Sequence, residues 1–127
     1  MRLWQEAVSV STSGSAGSAT GSTGSKATLS GFVLAVHLSY DGSCPAGTTV
    51  TVAAASTPTE SILAVTGNTD GWFYPRRQTH DAAGTALTLD GTEPQVDKFV
   101  LNDRVSVAVA DCDELENAAS CTIYWVE

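Results

Sequence analysis

Positive charge is scarce: six Lys and Arg stand against fourteen Asp and Glu in 127 residues, a formal net charge of −8. A field of that sign repels phosphate backbones and anionic lipid head groups, so neither nucleic acid nor a membrane is expected as a partner. Charge of either sign is thin, at 16% of residues against 43% hydrophobic, which suits one modest core in a single domain over 1–127. Long apolar runs are missing as well. No stretch nears the roughly 18 residues that cross a bilayer, and Met1-Arg2-Leu3-Trp4-Gln5-Glu6 lacks the basic-then-apolar order of a secretion signal. The chain is therefore expected to be soluble and made in the cytoplasm. Cysteine is limited to Cys44, Cys112 and Cys121, with no CxxC pair and neither His37 nor His80 near them in sequence, which argues against a zinc site. Cys112 and Cys121 flank an acidic turn and are placed to face each other across a hairpin, within disulfide reach if their Cα atoms approach within about 7 Å. A reducing compartment favours the thiols.

Helix signals are also absent: no window combines an N-cap with an apolar stripe at i, i+3, i+4 and i+7 over enough length, and Thr79–Ala86 or Asp113–Ala119 could supply one turn at best. Strand signals fill the chain instead. Thr28 to Tyr40 sets Phe32, Leu34, Val36, Leu38 and Tyr40 on one face at period two, with Val33, Ala35 and His37 on the other. Thr49–Ala53, Ser61–Thr66, Arg104–Ala110 and Cys121–Val126 alternate in the same way, and Trp4–Val10 reads as a first strand. The last two long runs, joined by the acidic segment, read as a hairpin. Residues 11–25 contain only Ser, Thr, Gly and Ala, with nothing large to bury, and read as a flexible loop between strands. The fold class expected is all-β: an antiparallel β-sandwich or barrel-like domain of about seven or eight strands with a long Ser/Gly loop.

The search for chemistry yields little. His80-Asp81 are adjacent, but neighbours on an extended chain point to opposite faces, and no serine sits in a GxSxG elbow. His37 alternates with apolar residues inside a strand and reads as a half-buried core histidine. Asp111 to Glu116 holds four carboxylates in six residues but lacks the glycine of a calcium loop, so it reads as a solvated tip that discourages edge pairing. Gly67, Gly71, Gly84 and Gly91 are isolated turn residues without GxxxxGK or GxGxxG. No catalytic residue, cofactor or metal is expected.

The most unusual stretch runs from Asp70 to Asp81, with Trp72, Phe73 and Tyr74 in succession, then Pro75, then Arg76 and Arg77. Three consecutive rings cannot all enter one core, because Trp72 and Tyr74 share one side of a strand and Phe73 takes the other. Either the strand is covered on both faces or the rings anchor an interface, where Trp, Tyr and Arg dominate the energetics. Arg2 and Trp4 repeat the theme. The candidate interface residues are thus Arg2, Trp4, Trp72, Phe73, Tyr74, Arg76 and Arg77. An aromatic platform also suits stacking on sugar rings, so a carbohydrate-binding β-sandwich is the rival class.

The segment Trp72 to Arg76, the Thr79-His80-Asp81 turn followed by Gly84 and Ala86-Leu87, and the strand start Leu101-Asn102-Asp103-Arg104-Val105 resemble a family of small proteins encoded among the structural genes of tailed bacteriophages. The opening is similar too, with a short strand, a small-residue loop and a return strand, so the resemblance spans most of the chain. Its motifs are less specific than a metal or nucleotide signature, and the Ser/Gly loop and the acidic Asp111–Glu116 segment depart from the pattern. The resemblance implies a virion component and not an enzyme: a capsid decoration, or cement, protein made in the host cytoplasm. Its partners would be the major capsid protein on the outer head surface and further copies of itself, as a homotrimer. A tail or head–tail connector protein is the second virion reading.

Overall fold

The computed structural model describes Met1–Glu127 and contains thirteen strands: β1 (Leu3–Val10), β2 (Ala19–Gly24), β3 (Leu29–Tyr40), β4 (Thr49–Ala54), β5 (Ser61–Thr66), β6 (Gly71–Phe73), β7 (Arg76–Gln78), β8 (Thr88–Leu89), β9 (Glu93–Pro94), β10 (Val96–Lys98), β11 (Val100–Asp103), β12 (Val105–Cys112) and β13 (Ala119–Val126). Eight of them have four residues or more. There is no helix, and so none long and apolar enough to cross a membrane. Every pairing is antiparallel. One sheet runs β1-β13-β3-β11, with β6 also on β3; the other runs β2-β12-β4-β5. The ribbons β7–β10 and β8–β9 stand beside them. The protein is an all-β sandwich with a barrel-like curl.

Alternation explains which residues meet between the sheets. Val105, Val107 and Val109 of β12 and Val50 and Val52 of β4 are fully buried from one side; Val36, Leu38 and Ile123 are buried from the other. Each such side chain contributes about 1.5–3 kcal/mol by leaving water. Along one side β1 and β2 run next to each other, and Ser13 bridges Thr20. Gly21 permits that approach, because a Cβ there would strike the Ser11 carbonyl oxygen.

Three expectations are corrected. Residues 11–25 are not one loop: Ala19–Gly24 is a strand paired with β12 from Ser106 to Cys112. Its small side chains suffice because a strand needs backbone partners first, and buried Ala19 and Thr12 need little space. Second, β12 and β13 do not form a hairpin. They lie in opposite sheets, joined by the acidic segment, so Cys112 and Cys121 are not cross-strand neighbours. That segment is solvated at Asp111, Glu114 and Glu116 but is anchored at its start, since Asp113 accepts the Gly17 N–H at 2.9 Å through Oδ1 and the Thr12 hydroxyl at 2.6 Å through its carbonyl.

The third correction concerns β3. Val36, Leu38 and Tyr40 face inward as the period requires, but Tyr124 opposes Ala35 while Trp125 opposes Val33, leaving Leu34 as an extra residue. This β-bulge advances the alternation by one. Val33 and Leu29 therefore enter the core, while Phe32 turns out and remains 45% exposed.

Candidate interaction surface

Directly opposed residues on neighbouring strands project to the same side, so the registers define what the outer face of the β1-β13-β3 sheet carries. One row is Leu3, Val126, Phe32 and Val100. The next is Gln5, Tyr124 and Ala35, followed by Ala7, Thr122, His37 and Trp72. The last is Ser9, Ser120 and Ser39. Polarity thus falls steadily from a serine end, where the Ser9 and Ser120 hydroxyls meet at 3.1 Å, to a wholly apolar end. No carboxylate, ammonium or guanidinium lies in these four rows. Of eight exposed large hydrophobic residues in the chain, Leu3, Phe32, Trp72 and Val100 belong to them.

The rings are organised. Trp72 lies 4.7 Å from His37 and 5.4 Å from Tyr124, measured between ring centroids, and stays 52% exposed. Tyr74, two positions on, is 64% exposed. Strand alternation separates them from Phe73, which opposes Val36 and packs on the core. Trp4 likewise faces inward, stacked on Trp125 at 6.3 Å with the Arg2 guanidinium 4.0 Å above its ring. Arg76 donates to the Leu34 carbonyl at 3.2 Å and to the Pro75 carbonyl at 2.7 Å, so it binds the extra residue of the bulge. Arg77 pairs with Glu60 at 3.2 Å in the open. Of the seven candidates, Trp72 and Tyr74 are therefore the two presented outward; Trp4, Phe73 and Arg76 hold the fold, and Arg2 and Arg77 lie on its margin.

Sequence reading did not single out Leu3, Phe32, Val100, Tyr124 and Val126 as a surface. Leu3 and Tyr124 were legible from strand alternation; Phe32 was hidden by the bulge. The other candidate chemistry does not assemble. The Asp81 carboxylate accepts the Ala83 and Thr85 N–H groups at 2.8 and 3.0 Å in its own turn, away from catalytic pairing with His80. His80 edges an open cleft with Glu60, Arg77, Gln78 and Thr79 that has no apolar lining. No three His, Cys, Asp or Glu side chains converge as metal ligands. No protein-family model matches the chain, and no curated protein matches it either.

Proposed function

We propose that this chain is a structural protein of a tailed-phage virion, a decoration protein that cements the outer surface of the head by docking the aromatic end of its five-stranded sheet onto the major capsid protein. One observation carries the reading. A chain of net charge −8 keeps a sheet face free of charge and rich in exposed large apolar groups, and charge depletion with aromatic enrichment is the compositional mark of an interface centre. Carbohydrate fits this face less well, because sugar hydroxyls leaving water require several polar partners, and around Trp72 and Tyr124 the polar side chains are His37, Thr122 and Gln5, with no carboxylate among them.

A lattice protein makes many equivalent attachments, and copies joined as a homotrimer release only when several contacts break together. The role needs a rigid scaffold and no catalytic centre. The test is the copy number of the chain in purified particles, by quantitative peptide mass spectrometry against the most abundant coat protein. Parity within about a factor of three fits a lattice-covering protein, whereas a few per cent moves it to the tail or connector and absence sinks the virion reading. On particles that carry it, Trp72→Ala combined with Tyr74→Ala is expected to lower occupancy at least about tenfold while Tm stays within a few degrees, since both rings are largely exposed.

A further inference from the structure

We propose that Cys44 and Cys112 form a cross-linking site, at which a small-molecule disulfide of the oxidised-glutathione class converts two buried thiols of the folded protein into an internal disulfide. The residues are 68 positions apart, and their Sγ atoms lie 4.0 Å from each other. Cys44 sits in the link between β3 and β4 and Cys112 ends β12, so the bond would fasten that link to the end of β12. An S–S bond is about 2.05 Å long, so the two sulfurs must approach by about 2 Å for it to form. The Cys44 thiol now donates to the Ala118 carbonyl at 3.0 Å. Losing that bond orphans nothing, because the same carbonyl accepts the Asp41 N–H at 2.9 Å. Cys121 is buried in β13 between Val8 and Leu38 and makes no sulfur contact.

The chemistry balances in two exchanges. The Cys44 thiolate attacks one sulfur of the small disulfide, forming a mixed disulfide and releasing one thiolate, which takes up a proton. The Cys112 thiolate then attacks Cys44 Sγ, the protein S–S bond forms, and the second small thiol departs. Two cysteine thiols are oxidised by two electrons and one disulfide is reduced to two thiols. Cys44 goes first because it sits in a link at 5% exposure, while Cys112 is at 0%. Burial first, and then the neighbouring Cys112, pushes the Cys44 thiol up to about 11. Below that value the thiolate fraction, and with it the rate, should rise about tenfold per pH unit.

The experiment incubates the purified native protein with oxidised glutathione across roughly pH 7–9 and records intact mass and a peptide map after cleavage at glutamate. Cleavage after Glu114 and Glu116 separates Cys112 from Cys121. The expected product has lost two hydrogens, joins the Cys44 and Cys112 peptides, and still forms in Cys121→Ala but not in Cys44→Ser. Reduction should reverse it, and the closed loop should raise Tm by about 5–10 °C over the reduced protein. A Cys112–Cys121 link, stable glutathione adducts without an internal bond, or three thiols that react only after denaturation would each overturn the proposal.

Discussion

Arg76 turns back onto the sheet while Arg77 turns out to Glu60, and their different contacts separate two roles that adjacent basic residues share in the sequence. Arg76→Ala removes the donor to Leu34 and Pro75, at an expected cost of about 1–2 kcal/mol because a half-buried carbonyl loses a charged partner. Arg77→Ala breaks one exposed ion pair and should cost less than about 0.5 kcal/mol. Denaturant midpoints of the two variants check this; equal midpoints would show that the bulge does not depend on Arg76. Cys121 gives a second residue-level expectation. Burial holds its thiol up to about 12, against an ordinary value of 9.0. The raised folded value means that the unfolded chain releases this proton first, so the stabilisation is complete below pH 9 and is lost as pH rises toward 12. Cys121→Ala should therefore show a shallower alkaline fall in Tm than the parent protein, measured from pH 8 to 10.5 against a value at roughly neutral pH.

At the scale of elements, what could be read in advance was whatever depends on local alternation. Val105, Val107 and Val109 share a buried face as their spacing requires, and β4 and β5 begin and end within a residue or two of the turn signals that bound them. Pairing across the chain was harder. The acidic segment between β12 and β13 is short enough for a hairpin, yet the Thr12 N–H donates to the Leu115 carbonyl at 3.0 Å and draws it toward the chain just past the end of β1. The chain then crosses to the other sheet, a choice that no residue in the segment encodes alone. Composition misled at β2, since Ala19 to Gly24 holds only Thr20 and Thr23 as β-favouring residues and forms on the edge that β12 offers. The bulge at Leu34 had no local sign, because Phe32 to Tyr40 keeps a regular apolar alternation. Only Gly31, at φ +124° with its Cα facing the Val126 carbonyl, hints that the strand is irregular there. The candidate surface is least legible for this reason: Trp72 and Tyr74 stand out as rings in a row, while Phe32 on the same outer face shares its sequence alternation with the inward Val36 and Leu38.

Across the whole molecule, charge is separated by position. The outer rows of the β1-β13-β3 sheet carry none, and the outward residues of the opposite sheet, Ser106, Ala108, Thr49, Thr51 and Ala64 among them, carry none until Asp111 near the end of β12. Most of the acidic excess is left to turns, ribbons and termini; the two acids in strands of the five-stranded sheet are held by backbone donors, Asp103 at the end of β11 accepting from Ser56 and Arg104 and Glu6 in β1 accepting the Lys26 and Ala27 N–H groups. In the proposed assembly, copies at −8 each would repel one another through this rim, while the charge-free face would bring no unpaired charge into its contact. Salt separates the two contributions, because a rise from about 0.05 to 0.5 M shortens the screening length from roughly 14 to 4 Å. If attachment to the capsid runs through the aromatic face, occupancy should hold or increase over that range, since screening weakens only the repulsion. Release at high salt, measured on purified particles by the ratio of this chain to the coat protein, would place the contact on Arg2, Arg77 and the other rim charges instead.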